Sequence, residues 1–239
     1  MKQIWIICRR ELNSFFDSLM AYIMIIAFLG FSGFFTWLYV ADVFYSQQAS
    51  LQIFFDIAFW TLFFFIPALT MGQLAEENRA GTIEFLLTKP IKDVHVIVGK
   101  FLATLILICI ALLMTIPYYI TVANIGPVDH GAVISGYIGL ILMSAAYISI
   151  GIFASSISNN QIVGFLLAIF VGILFHWIFG MVAGGISGFF GEVLNFLSTR
   201  AHFESIARGV LDTTDLVFFI SIVVLGLAST ETILARKHQ

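Results

Sequence analysis

Residues 76–91 read EENRAGTIEFLLTKPI and hold acids, bases, glycine, threonine and proline within one short stretch of a chain that is 60% hydrophobic and 10% charged. The polar part comes first. Gln73, Glu76, Glu77 and Arg79 follow directly on an apolar run, where a helix leaving a membrane would enter water. Gly81 permits a change of direction because it has no Cβ. Thr82 can cap a new short helix, and Glu84 falls in its first turn, where the helix dipole favours an acid. Ile83, Leu86 and Leu87 then share a face at i, i+3, i+4 spacing, and Pro90 stops the helix. The chemistry open to these residue types is recognition: an exposed apolar patch with a polar rim marks a partner site. The competing reading is a solvated loop whose apolar side chains fold back on a membrane surface.

Catalytic patterns are absent from the sequence. Its one Gly-Lys pair, Gly99-Lys100, has Val94 where a P-loop needs its first glycine and Phe101 where it needs Ser or Thr for magnesium. There is no HExxH, CxxC or G-x-S-x-G. The histidines, His95, His130, His176, His202 and His238, are scattered and do not have metal-ligand spacing. Cys8 and Cys109 give neither a disulfide framework nor a metal pair. The chain is therefore read as a non-enzyme that binds no cofactor or metal of its own, and any work it does must be driven from outside.

Other polar residues stand out against the apolar background. Asp56, near the outer start of the second apolar run, is a candidate for a pore or substrate path, or else a hydrated interfacial acid. His176, within the fifth run beside Trp177, is a second such candidate, or else a packed hydrogen-bonding residue. Gly180, Gly184 and Gly188 recur at intervals of four, which suits either close helix contact or a flexible bend. Arg200, His202, Glu204 and Arg208 could touch a substrate, or anchor short helices to headgroups and to one another. The turn with Ser155, Ser156, Ser158, Asn159 and Asn160 is uncharged and reads as too short for a strong second docking site.

The elements that must position these residues follow from composition. The 239 residues include 26 Phe, and the mean hydropathy is +1.03. A soluble domain, which needs a polar surface, rarely reaches such values. Six apolar runs, about 19–41, 51–75, 97–122, 132–155, 161–183 and 214–235, are each near the ~20 residues that cross a bilayer. Runs of this length imply helices, because backbone in lipid must satisfy its own hydrogen bonds. Pro67 and Pro117 fall inside two runs and are read as kinks that do not split them. The first run is read as a retained span, since no small-residue cleavage site follows it. Nine of the eleven basic residues, Lys2, Arg9, Arg10, Arg79, Lys89, Lys92, Lys100, Arg236 and Lys237, fall on the side of the termini, which the positive-inside rule makes cytoplasmic. The net charge of −3 and the absence of a basic block argue against a nucleic-acid partner.

Before the first run, Ile4, Trp5, Cys8, Leu12, Phe15 and Phe16 recur at helical spacing, with Lys2, Gln3, Arg9, Arg10, Asn13 and Asp17 opposite. This predicts an amphipathic helix over 1–17 lying in the membrane surface. Between the fifth and sixth runs, 184–213 is apolar, rich in glycine and broken. It predicts short helices dipping into the outer leaflet, since irregular backbone at that depth must be buried in protein. The expected fold is all-α: a polytopic membrane protein with six transmembrane helices in one domain over 1–239.

The order of these pieces resembles the ABC-2 family of ABC-transporter permeases: an amphipathic R-R-E-L start, six spans, an acid-rich exit with R-x-G-T-x-E-x-L-L and then Pro, a G-K-F-L entry to the third span, and an apolar loop before the sixth. The resemblance covers essentially the whole chain. It implies that Glu76, Glu77, Arg79, Gly81, Thr82, Ile83, Glu84, Leu86, Leu87 and Pro90 form a coupling loop docking on a separate ATPase subunit, expected in two copies, which binds ATP and Mg. It implies a second permease subunit, identical or not, and a multi-pass location in a bacterial inner membrane. Within the family, residues 194–218 and the loop E-E-N-R-A-G-T-I-E-F-L-L-T look most like the permease associated with bacterial gliding motility, and the permease of nitrous-oxide-reductase maturation shares much of the pattern. Two other readings stay open: a membrane scaffold that recruits a cytoplasmic ATPase without a substrate path, and a gradient-driven carrier, for which only Asp56 and His176 offer mid-membrane ionisable groups.

Overall fold

The computed structural model describes residues 2–39, 50–81 and 92–237. The described residues are helical, without strands, and six of the helical segments are long and apolar enough to cross a membrane: Met20–Leu38, Gln52–Ala80, Asp93–Ile125, His130–Ile157, Gln161–Ala183 and Thr213–Arg236. The expected all-α polytopic membrane fold is the one observed.

Helix α1, Lys2–Asp17, precedes the first span. Its polar residues Lys2, Gln3, Arg9, Arg10, Asn13 and Asp17 are all exposed. Its buried seam is Ile7, Cys8 and Phe15, held by protein at the base of the third span. A Cβ on Gly99 there would lie 2.7 Å from Ile7, so the glycine is what lets α1 approach. Trp5, expected on the apolar seam, is instead 61% exposed. Leu19, at φ 60, forms the corner into α2, Met20–Phe34. A π-helical turn, Phe35–Tyr39, extends that span.

Helix α3, Gln52–Thr70, contains Pro67 near its end. The chain then turns at 71–74 and makes a short helix α4, Ala75–Ala80. The third span is α5, Asp93–Leu113, followed by α6, Ile116–Ile125. The two together make up the single candidate span Asp93–Ile125, so Pro117 does not split the run, as expected. Pro117 sits in the first turn of α6, because it has no N–H for the carbonyl four residues back and its ring crowds the preceding turn. Thr115 takes up the break, donating to Leu112 O at 2.6 Å and meeting the Tyr137 hydroxyl at 2.8 Å.

The centre of the bundle is α7, His130–Ile157, capped by Asp129, whose carboxylate accepts from the backbone N–H of Gly131 and Ala132. It packs against the second, third, fifth and sixth spans. Small residues make this possible: a Cβ on Gly136 would strike the Phe55 ring at 2.5 Å, and one on Gly151 would strike Thr70. Such close approach is the usual means by which membrane helices associate. The fifth span is α8, Gln161–Ile173, a π-helical turn, Leu174–Ile178, and α9, Phe179–Ala183. Two short helices follow, α10, Phe189–Phe196, and α11, Thr199–Ala207, before α12, Thr213–Lys237. The expected short helices between the last two spans are thus present. Gly180 and Gly188 divide the roles left open for the glycine series. A Cβ on Gly180 would meet Ser198 Oγ at 2.8 Å, whereas Gly188 turns the chain at φ 88.

Candidate functional site

The polar residues that end the second span are built into the bundle rather than left in a loop. After Thr70 the backbone groups of the turn need partners, and Ser155 of α7 supplies them. Its hydroxyl donates to Met71 O at 2.8 Å and accepts from Leu74 N at 3.1 Å and Ala75 N at 3.0 Å. Ser155 therefore caps α4 from another helix, satisfying N–H groups that a helix start leaves open. Asn78 continues the attachment, donating from Nδ2 to Ser156 O and Ser158 O, each at 3.3 Å. Glu76 accepts from the side-chain amide of Gln161. Gly81 ends α4 at φ 65, a left-handed conformation that L side chains avoid.

Glu77 turns the other way, toward α1 and α5. The Lys100 ammonium, 1% exposed, lies 2.9 Å from Glu77 Oε1 and 3.3 Å from Glu11 Oε2. Arg10 joins from the rim, 2.6 Å from Glu11 and 3.8 Å from Glu77. Two carboxylates thus surround one buried cation, which is what makes its burial tolerable. Burial acts to raise the Glu11 pKa, but the Lys100 charge and the hydrogen bond and charge of Arg10 outweigh it and hold the carboxyl below its ordinary value. A second layer fixes the backbone beneath. Thr104 Oγ1 donates to Lys100 O at 3.1 Å and accepts from the Gln73 amide. The cluster joins the N-terminal helix, the end of the second span and the start of the third.

Of the residues singled out in the sequence, Glu76, Glu77, Arg79 and Gly81 are placed together here, with Arg79 exposed at the edge. Thr82, Ile83, Glu84, Leu86, Leu87 and Pro90 lie outside the described residues. Lys100, Glu11, Asn78 and Ser155 were missed as site residues. In the sequence Lys100 stands out as a base on the side of the termini, as the lysine of a failed P-loop pattern and in the G-K-F-L entry to the third span, with no acid assigned to it. A lone lysine just inside an apolar run, with one acid within the N-terminal helix and another at the exit of the second run, is the available signal.

The two pore candidates are not brought into contact with each other. Asp56 is exposed on α3, on the same stripe as Gln52, Trp60 and Phe64. His176, in the π-helical turn, is fully buried and lies between the rings of Phe59 and Phe63, with centroids at 4.1 and 4.3 Å and Trp60 edge-on at 4.5 Å. Its Nδ1 meets the Tyr147 hydroxyl at 2.9 Å. This is an aromatic box that packs the fifth span onto the second.

At the opposite end Arg200 pairs with Glu204 at 2.6 Å, and Arg208 Nε donates to Glu204 O at 3.0 Å. His202 joins α11 to α12: Nδ1 lies 2.6 Å from Asp215, Nε2 lies 2.8 Å from Phe196 O, and the ring stacks on Phe218 at 4.1 Å. Arg200, Glu204 and Arg208 thus contact one another, while His202 ties α11 to α12.

Compared with known protein families, the chain matches the model described as ABC-2 family transporter protein over residues 38–201, more than half of its length. No curated protein matches it.

Proposed function

This chain belongs to the ABC-2 transporter family, and from that premise we propose that it is half of the membrane pore of an ATP-driven exporter. It is a multi-pass membrane permease subunit rather than an ATP-binding one, and its family implies an ABC ATPase partner and a membrane dimer. Two ATPase subunits would bind ATP and Mg and close beneath two permeases, in a bacterial inner membrane with the termini cytoplasmic. The distribution of Lys and Arg supports that orientation. Residues 82–88 would form the docking helix, with Pro90 as its stop. The likeness of residues 194–218 and of the loop over 76–88 supports placing the chain in the gliding-motility branch.

The observation that carries this reading is the Lys100 cluster. Glu77 sits at the exit of the second span, just before the proposed docking segment, and is tied through Lys100 to the third span and to α1. A displacement of the loop would therefore be delivered to three elements at once. The ATP energy enters only through contacts that differ between the two ATPase states.

Replacing Glu84 or Arg79, or Leu86 and Leu87 together, should weaken copurification with the ATPase or uncouple hydrolysis from transport. Normal assembly and coupling in those variants would show the docking helix to be misassigned. In reconstituted vesicles, hydrolysis accompanied by flux of a candidate lipid or sugar supports a transporter, whereas hydrolysis with no movement of any of them favours a scaffold.

A further inference from the structure

Helix α4 is held on two sides by different chemistry. Glu77 takes the ionic side, with Lys100 of α5. The other side reaches the turn between the fourth and fifth spans, and there α4 and α7 cap each other. Ser155 of α7 accepts from Leu74 N and Ala75 N at the start of α4. Asn78 of α4 donates from Nδ2 to Ser156 O and Ser158 O at the end of α7. A helix leaves its first N–H groups and its last carbonyls without intrahelical partners. Each helix thus supplies what the other's terminus lacks, and the two ends are fixed to one another.

The same joint continues onto α8. Gln161, the first residue of that helix, donates its side-chain amide to Glu76. A Cβ on Gly164 would lie 3.3 Å from Met71 O, and one on Gly72 would lie 3.5 Å from Gln161 Nε2. The first turn of the fifth span therefore rests on the backbone that leads into α4. The connection at 158–160 is itself braced. Ser158 Oγ donates to Asn160 O at 2.8 Å and accepts from Asn160 N at 2.9 Å, and Asn160 Oδ1 accepts from Ile162 N at 2.9 Å. A slack loop would absorb a displacement of α4, whereas a connection braced in this way passes it on.

We infer that Asn78 is a positioning residue that makes the turn between the fourth and fifth spans move with α4, so that a push on the docking segment reaches those two spans as well as the third. This rests on the permease reading above. It gives the uncharged serine- and asparagine-rich turn a transmitting role.

The test uses two substitutions of Asn78. Asn78→Asp keeps the size of the side chain but replaces its N–H donor with a carboxylate, facing two carbonyls at the negative end of the α7 dipole, and so opens the joint. Asn78→Gln keeps the amide donor. The first measurement is hydrogen exchange of the purified permease in nanodiscs, without an ATPase. Glu77→Gln loosens the ionic side of α4 and should speed exchange over 156–164 about threefold in the wild-type background, because the joint carries the disturbance across α4. The same substitution should add nothing over 156–164 in the Asn78→Asp background and should regain its effect in the Asn78→Gln background. A residue with a purely local role gives no response over 156–164 to Glu77→Gln, and that result overturns the inference. An equal response in the Asn78→Asp background overturns it too, since the disturbance then travels by another route. The second measurement is made on the permease copurified with its ATPase. Addition of ATP and vanadate should alter exchange over 71–80 and 156–164 in wild type, but over 71–80 alone in Asn78→Asp. A wild-type response confined to 71–80 overturns the inference. Failure of an ATPase to copurify with wild type counts against the permease reading, and the ATPase-free measurement still decides whether α4 and the turn move together.

Discussion

The Lys100 ammonium, almost wholly buried, donates to the Glu77 carboxylate across 2.9 Å and so binds the start of the third span to the end of the second. Glu11 completes the arrangement from α1 at 3.3 Å. A buried charge is expensive alone and tolerable when surrounded by partners, so the three groups should respond unequally to removal. Lys100→Met leaves two half-buried carboxylates facing each other and should cost about 3–5 kcal/mol. Glu77→Gln leaves Lys100 with Glu11 and should cost less, about 1–3 kcal/mol. Thermal unfolding in detergent checks the order, and a double-mutant cycle should return a coupling energy well above that of an exposed pair. Equal, small losses would show the cluster to be ornamental.

The same cluster predicts a pH response. The Glu11 carboxyl is held below its ordinary value of 4.5. A lowered folded-state pKa contributes stability that is fully present above the unfolded value and is lost as pH falls through the folded one. Wild type should therefore lose thermal stability as pH is taken below about 4.5, while Glu11→Gln should start lower and lose less over the same range. Parallel curves for the two proteins would mean that Glu11 carries no linkage.

Much of the fold was legible because a bilayer imposes a length and a composition on anything that crosses it. The ends of the second span were less so. Its apolar run stops near residue 75, but the turn at 71–74 depends on Ser155, about 80 positions away, and nothing local in the sequence announces it. The serine-rich turn after α7 reads as a weak docking surface because it is uncharged, whereas in the fold its residues serve as hydrogen-bond partners of the turn and of α4. Lys100 was hidden for a related reason: a lysine inside an apolar run is intelligible only once its acids are known, and they come from α1 and α4. Pro117 leaves the third span, Asp93–Ile125, whole, as its sequence suggests, but the short turn before it is held by Thr115 and by Tyr137 of α7, which no local pattern announces.

Ser155 gives a third prediction. Its hydroxyl serves three backbone groups of the turn that leads into α4. Ser155→Ala leaves them without partners in a buried place and should cost about 1–3 kcal/mol. The loss should be local: hydrogen exchange of peptides covering residues 71–80 should accelerate at least tenfold, while exchange in α7 stays near wild type. Uniform acceleration throughout the bundle would instead make Ser155 a general packing residue.

The aromatic box around His176 gives the last. The ring stacks between Phe59 and Phe63, and its polar contact is one hydrogen bond to Tyr147. A proton relay needs a group that takes up and releases protons along a polar route, whereas a packing residue needs shape. His176→Phe keeps a planar ring and removes the titratable group. It should preserve assembly and ATP-driven flux within about twofold and leave the Tyr147 hydroxyl short of a partner, at a cost of about 0.5–1.5 kcal/mol. Tyr147→Phe should behave similarly, and the double variant should recover part of the loss, since two facing apolar groups replace a hydrogen-bonded pair. His176→Ala, which opens a cavity beneath three aromatic rings, should be the worst of the series, by about 2–4 kcal/mol. If His176→Phe instead abolishes flux while its thermal stability stays at the wild-type level, protonation at this position belongs to the transport cycle and the packing account fails.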